Sequence, residues 1–69
     1  MTQLGIYQHY KGGRYQVIGV AKHSETLEDL VVYIKLDNNT LWVSPQEMFE
    51  SEVVVEGIRK LRFEYLGEK

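Results

Sequence analysis

The sequence predicts a mainly β domain, a small SH3-like barrel of about five antiparallel strands with one short helical (3₁₀) turn. Turn-forming residues recur about every eight to twelve positions, and the segments between them are rich in β-branched and aromatic side chains. No segment has a helical apolar period long enough to cover a sheet. Short strands that no helix covers best pair the backbone N–H and C=O groups of their edges when the sheet curls into a barrel. The 69 residues have room for one such domain, spanning residues 1–69.

Two hairpins are predicted in the first part of the chain. Residues 5–10 and 15–20 flank Gly12 and Gly13, which supply the positive φ angles that a tight turn requires. Residues 30–36 are dense in β-branched and aromatic side chains, and residues 37–40 after them are turn formers. The strand that starts at residue 41 therefore returns alongside residues 30–36.

The second part of the chain predicts one helical turn and further strands. Ser44 and Glu47 have the spacing of a capping box around Pro45, which places Met48 and Phe49 on the inward side of the turn. Residues 53–55 resume extended structure until Gly57 interrupts it. Residues 60–65 alternate apolar and charged side chains, which predicts a half-buried strand with its apolar residues facing the core: Leu61, Phe63 and Tyr65.

Composition disfavours several classes of function. There is no cysteine, so no disulfide, thiolate–metal site or cysteine nucleophile is expected, and a reducing cytoplasm is the predicted location. No apolar run approaches the roughly 20 residues that span a bilayer, and the N-terminus lacks the pattern of a secretory signal. Residues 1–24 carry three basic and no acidic side chains within a net charge of −2. This asymmetry is compatible with a mild basic patch near the first hairpin. Nucleic-acid sites usually have clustered Lys and Arg, so a nucleic-acid partner is disfavoured without being excluded.

The least ordinary segment is a polar connection, residues 21–29, between two apolar strands. It contains four candidate ligand-binding residues: His23, Ser24, Glu25 and Thr26. Histidine exchanges protons near neutrality, and hydroxyl and carboxylate groups bind polar ligands. The same residue types also bond the nearby backbone and define turns, so a purely structural role is the competing interpretation. His9 is the only other histidine, and no spacing brings it to His23, so no metal site is predicted.

Aromatic side chains are more numerous than a core of this size needs. The chain has one tryptophan, five tyrosines and two phenylalanines. By strand alternation Tyr33 lies opposite the apolar residues at even positions of its strand, and Trp42 lies opposite Leu41 and Val43. At least one of these two rings is expected to face outward, where small barrels bind peptides, modified side chains or bases.

The order of these motifs resembles a small bacterial family, domain of unknown function 1653, over roughly residues 5–66. The matching residues are Tyr10, Lys11, Gly12, Gly13, Tyr15, Val17, His23, Ser24, Glu25, Thr26, Glu28, Val31, Val32, Tyr33, Leu41, Trp42, Val43, Pro45, Met48 and Phe49. The resemblance implies an SH3-like barrel and supplies no activity. In the family pattern an arginine usually follows Trp-Val, where this chain has Ser44. Any anionic ligand held by that arginine is thus placed in doubt here.

The favoured hypothesis is a binding module for a small polar molecule, a peptide or a nucleotide, at a shallow polar and aromatic site. The proposed lining is His23, Ser24, Glu25, Thr26, Tyr33 and Trp42. One alternative is a small hydrolase with His23 as general base and Glu25 as its orienter, which the short chain disfavours. Another is a structural adaptor or homo-oligomer joined through an exposed edge strand or an aromatic patch. No catalytic residue and no cofactor are assigned, and both a monomer and a small homo-oligomer are compatible with the sequence.

Overall fold

Seven strands and one short helix make up most of residues 2–68, which are the residues that the computed structural model describes. In chain order they are β1 (Gly5–His9), β2 (Arg14–Lys22), β3 (Asp29–Lys35), β4 (Thr40–Pro45), α1 (Gln46–Phe49), β5 (Glu52–Val55), β6 (Ile58–Leu61) and β7 (Phe63–Gly67). The mainly β prediction is confirmed, with seven strands where about five were expected.

The strands form two antiparallel sheets. The larger has the order β4-β3-β2-β1-β7, and the smaller is the β5–β6 hairpin. Strands β4 and β7 are the edges of the larger sheet, so its order within residues 2–68 does not close into a barrel. In the same part of the chain, no helix has the length and apolar character needed to cross a membrane.

Both predicted hairpins are present. The first turn is closed by the His9 amide, which donates to the Gly13 carbonyl at 3.0 Å, and φ is +99° at Gly12 and +84° at Gly13. In the second turn the Thr40 amide donates to Oδ1 of Asn38 at 3.1 Å, and Asn39 has a φ of +58°. Turn chemistry that is local in sequence therefore determined these two elements.

The core lies between the larger sheet and α1 and is largely aromatic. The buried apolar side chains are Tyr7, Val17, Val31, Tyr33, Phe49 and Phe63, and Tyr15 packs against them. In β3 the odd positions Val31 and Tyr33 face this core, whereas the aliphatic residues at even positions face the opposite side of the sheet. Tyr33 and Trp42 lie on the same face of the sheet, but Trp42, on the edge strand β4, is 50% exposed, whereas Tyr33 is 7% exposed.

The capping-box prediction at α1 is wrong. Pro45 occupies the N-cap position, and no side chain caps the helix. Ser44 belongs to β4, and its hydroxyl is hydrogen bonded to the Tyr33 hydroxyl at 2.7 Å, so it is not available to the helix. Phe49 is buried as predicted, but Met48 is 51% exposed because the single turn presents only one of the two side chains to the core.

The alternating segment at residues 60–65 forms parts of two strands. The chain bends at Arg62, whose amide donates to the Ser51 carbonyl at 3.0 Å and whose carbonyl accepts from the Tyr10 amide at 2.9 Å. Phe63 is buried, whereas Leu61 and Tyr65 remain partly exposed beside it. The bend separates β6 from β7 and opens a concave surface between them.

Candidate functional site

The polar loop, residues 23–28, bonds mainly to its own backbone. Nδ1 of His23 accepts hydrogen bonds from the amides of Glu25 at 3.1 Å and Thr26 at 3.3 Å. The Thr26 hydroxyl in turn accepts from the Glu28 amide at 3.2 Å. The His23 backbone closes the loop through the Glu28 carbonyl at 2.8 Å and the Leu27 amide at 2.9 Å. In this arrangement the imidazole acts as a turn-stabilising acceptor.

This geometry bears on the chemistry predicted for His23. Glu25 meets the imidazole through its backbone amide, and Nδ1 is already occupied as an acceptor. A general base oriented by a carboxylate needs instead an Nδ1–H that donates to that carboxylate. The loop as folded therefore lacks the orienting contact that the hydrolase hypothesis requires. Ser24 and Glu25 are exposed to solvent.

The six predicted ligand-binding residues fall into two groups. Tyr33 and Trp42 are directly paired across β3 and β4, on the same face of the sheet. The indole Nε1 of Trp42 donates to the Thr40 hydroxyl at 2.8 Å. The polar loop adjoins Asp29, which lies four residues before Tyr33, or about 13 Å along an extended strand. The structure thus brings His23, Ser24, Glu25 and Thr26 together in one loop, and separates them from Tyr33 and Trp42.

A substitution can measure the structural role of the loop histidine. We expect His23→Ala to lower the free energy of unfolding by about 0.5–2 kcal/mol, as the loss of a helix-capping acceptor does, because two amides lose their partner. His23→Asn keeps a side-chain acceptor and should recover much of this loss. Urea denaturation and hydrogen exchange at the Glu25 and Thr26 amides provide the measurement. Equal stability of the alanine variant and the parent protein would contradict a structural role.

A concave surface that the sequence did not identify lies between α1, β7 and the end of β6. This aromatic groove has a volume of about 430 Å³. Its lining consists of aromatic, aliphatic and polar side chains: Thr2, Gln3, Tyr7, Phe49, Glu50, Leu61, Phe63 and Tyr65. The volume lies within the range of small-molecule binding sites in proteins.

The rings of the aromatic groove pack against one another. Tyr7 lies 5.1 Å from Phe49 in an edge-to-face arrangement and 5.1 Å from the partly exposed ring of Tyr65, both measured between centroids. Phe49 stacks on Phe63 at 4.1 Å. Such contacts hold the rings in fixed orientations, so the floor of the groove is preorganised before any ligand arrives.

The polar rim of the aromatic groove is negative. Glu50 is its one charged lining side chain among residues 2–68, and its carboxylate accepts a hydrogen bond from the Thr2 hydroxyl. The Tyr7 hydroxyl donates to the Gln3 carbonyl at 2.8 Å. Burial raises the pKa of Tyr7 above its ordinary value of 10.0. The hydrogen bond to Gln3 lowers this pKa, and the nearby Tyr65 and Glu50 raise it further. Tyr7 therefore stays neutral, and the fixed charge of the groove is that of one carboxylate.

His9 lines a second cavity, together with residues of β1, β6 and β7. Its ring centroid lies 4.7 Å from that of Tyr10 and 4.9 Å from that of Phe63, and Nδ1 accepts from the Lys11 amide at 3.2 Å. Burial lowers the pKa of His9 below 6.5, and the nearby charges of Arg62 and Lys11 lower it further. These effects favour the neutral imidazole over the protonated one. Within the described chain, no three His, Asp or Glu side chains gather as a metal site would require.

The lowered pKa of His9 predicts a pH dependence of stability. Below about pH 6.5 the unfolded chain takes up this proton before the folded protein does, so the contribution of neutral His9 is present above that pH. It is lost as the pH falls toward the folded pKa. His9→Asn keeps an acceptor for the Lys11 amide but cannot titrate. The difference in urea midpoint between this variant and the parent should change between about pH 7.5 and about pH 5.5, with the parent losing relatively more stability at low pH.

His23 is present in both proteins of that comparison, so any contribution from it cancels. A midpoint difference that is constant with pH would contradict the lowered pKa of His9. An NMR titration of the His9 ring protons measures the same pKa directly.

The aromatic groove was missed because its residues are distant in sequence and because four of them were predicted to face the core: Phe49, Leu61, Phe63 and Tyr65. Leu61 and Tyr65 were predicted to be buried, and both line the groove instead. The excess of aromatic residues over core positions was the one relevant signal in the sequence. It indicated that some rings are partly exposed, but not which ones.

Comparison with known proteins assigns the family. Residues 5–65 match the family described as "Protein of unknown function (DUF1653)". No protein with a curated description matches this chain. The chain is also similar to a solved structure, the crystal structure of a DUF1653 protein from Bordetella bronchiseptica. The two share 30% sequence identity and a TM-score of 0.91, over 99% of this chain and 91% of the other. The chain therefore belongs to the DUF1653 family, a protein family of unknown function.

Proposed function

We propose that this protein is a small cytoplasmic binding module, and that its aromatic groove recognises an organic cation carried on an apolar stem. The observation that carries this proposal is one carboxylate, Glu50, at the rim of a concave surface whose floor is built of four aromatic rings. Ammonium and guanidinium groups of lysine or arginine side chains in a peptide are ligands with this chemistry.

Two physical effects favour a cation at this position. The faces of aromatic rings attract positive charge, by about 0.5–1 kcal/mol at exposed sites and more where water is excluded. The Glu50 carboxylate is negative, so it attracts a cationic ligand and would repel a phosphate or a carboxylate. A nucleotide, one of the ligand classes that the sequence left open, is disfavoured here for that reason.

The apolar stem of the ligand has its own surface. Leu61 and Tyr65 are partly exposed at the groove, so they can cover methylene groups without the ligand having to enter the core. Burial of apolar area contributes roughly 25 cal/mol per Å². A side chain that combines a stem with a cationic end would use both surfaces at once.

The ligand set predicted from the sequence is a separate surface. His23, Ser24, Glu25 and Thr26 lie in the polar loop, and they do not line the aromatic groove. Ligand binding by this loop, and by Tyr33 and Trp42, stays a prediction. Amide chemical shifts recorded during a ligand titration also test these residues, because their amides are observed in the same spectra.

The proposal can be tested by titrating the 15N-labelled protein with blocked amino acids and recording amide chemical shifts. Suitable probes are N-acetyl-lysine methylamide, its trimethylated form and N-acetyl-arginine methylamide. N-acetyl-norleucine methylamide is the neutral control because it has the stem without the charge. We expect the cationic probes to shift the amides of Glu50, Leu61 and Tyr65, and the neutral probe to bind several-fold more weakly.

Matched variants separate the groove from general electrostatics. Glu50→Gln should weaken binding of the cationic probes several-fold. Glu47→Gln removes the same charge three residues earlier, in α1 and outside the groove, and should not weaken binding. Tyr65→Ala should weaken the binding of all the probes, because it removes one aromatic ring of the groove. Equal effects of the two glutamate variants, or equal binding of the norleucine probe, would refute cation recognition.

A further inference from the structure

The outer face of the five-stranded sheet, on the side away from the core, is aliphatic near β4. Register places Ile34 beside Leu41, and Val32 beside Val43, across β3 and β4. Leu41 is 67% exposed and Val43 is 58% exposed. Soluble proteins seldom expose a continuous apolar surface of this kind unless it has a partner.

The same residues lie on an open edge of the sheet. Strand β4 pairs with β3 on one side only, so alternate amides and carbonyls between Thr40 and Pro45 have no neighbouring strand. None of its six side chains is charged. Edge strands are usually protected from strand addition by charges, bulges or prolines. Pro45, at its end, is the only such protection on β4.

The other edge strand provides a contrast within the molecule. β7 carries the charged Glu64 and a glycine with a φ of +128°, and its pairing with β1 is irregular between Ile6 and Tyr7. These features prevent a flat, uncharged edge from forming. β7 is therefore protected against the addition of another strand, whereas β4 is almost unprotected.

We propose that β4 pairs with β4 of a second copy of this chain, antiparallel across a two-fold axis, to give a continuous sheet of ten strands. In an antiparallel two-fold contact the residues near the axis face their own counterparts, so a charge there would face its like. The six uncharged side chains of β4 avoid this repulsion. Leu41 and Val43 of each copy then extend the aliphatic outer face across the axis.

The size of this contact determines its strength. A pairing of two six-residue strands is small beside the roughly 1,200–2,000 Å² buried by stable interfaces, so we expect a dissociation constant in the micromolar range or weaker. The proposal is independent of the aromatic groove, which lies on the core side of the sheet, beside β7 at the opposite edge.

Sedimentation velocity over about 10 µM to about 1 mM protein tests the dimer, because this range spans the expected dissociation constant. We expect the mass to rise from one chain to two with concentration. The emission of Trp42, the only tryptophan, should move to shorter wavelength over the same range. Hydrogen exchange should slow at β4 amides and not at β7 amides.

Two lysine variants identify the contact surface. Val43→Lys places a charge on β4 and should weaken association at least tenfold. Val54→Lys introduces the same change at a valine that is similarly exposed, but on β5, and should leave association unchanged. Both sites are exposed, so folding should be kept. Leu41→Lys repeats the test if Val43→Lys does not fold.

A monomer at every concentration, or a dimer that Val43→Lys leaves intact, would overturn the proposal. A dimer that forms without slower exchange at β4 would also overturn it, because the copies would then stack through the outer face without pairing edges.

Discussion

Phe49→Ala is expected to lower the free energy of unfolding by about 3–5 kcal/mol, the range found when large aromatic residues are removed from protein cores. Phe49 is 1% exposed, stacks on Phe63 and has ring contacts with Tyr7 and Tyr33. The residues around the cavity belong to different strands, so they cannot move in to fill it without breaking backbone pairing.

The size of the chain makes this loss severe. Small domains have about 0.05–0.15 kcal/mol of stability per residue, so 69 residues provide on the order of 3–10 kcal/mol. We expect Phe49→Ala to be partly or fully unfolded at 37 °C, as measured by circular dichroism and urea denaturation.

Met48→Ala is the matched control because it truncates the neighbouring residue of the same helix on its exposed side. Its cost should stay near the ±0.5 kcal/mol typical of surface substitutions. Similar losses from the two variants would mean that α1 is not docked through Phe49.

Gly5→Ala is the second substitution with a large expected effect. Gly5 has a φ of +137°, and a Cβ atom there would collide with the Gly67 carbonyl oxygen and lie 3.0 Å from a ring carbon of Tyr65. The conformational strain alone costs about 1–3 kcal/mol. Because backbone atoms of β7 block the space, relief requires a shift of the edge strand, and we expect a total loss of about 3 kcal/mol or more.

Two other glycines separate strain from steric collision. Gly12 also has a positive φ but faces open space, so Gly12→Ala should show the strain without the collision. Gly19 has an ordinary φ and open space, and alanine there should be neutral or slightly stabilising. Urea midpoints should rank Gly5→Ala below Gly12→Ala, and Gly12→Ala below Gly19→Ala. An equal loss at Gly5 and Gly12 would contradict the close approach of β1 and β7.

The two hairpin-turn predictions, which rest on local chemistry, agree with the structure. Gly12 and Gly13 adopt the positive φ angles expected of them, and Asn38 and Asn39 form the second turn. These conformations depend on neighbouring residues, whose identity is directly visible in the sequence.

Predictions that rest on alternation agree only in part. Alternation places Tyr33 and Leu30 on opposite faces, as the structure does, but it does not determine which face is the core. The aromatic residues Tyr33, Phe49 and Phe63 lie in the core, because their rings fill the space between the sheet and α1. The aliphatic residues at the even positions of β3 were left on the outer face.

The two candidate sites also differ in whether their residues are close together in the sequence. The polar loop was recognised as unusual because its residues are consecutive, and the structure shows that His23 bonds the backbone of that loop. The aromatic groove joins Tyr7, Glu50 and Tyr65, which lie far apart in the chain. Nothing in the spacing of these residues indicates that they meet.

The sequence by itself determined the mainly β class and the two hairpin turns, because each depends on residue types within a few positions of one another. The order of motifs along the chain determined the resemblance to DUF1653. Tertiary structure alone decided which face of β3 is buried, where the chain bends at Arg62 and which rings surround Glu50. Those outcomes depend on packing between strands distant in sequence, where the volume and shape of side chains select one arrangement among several that the same pattern allows.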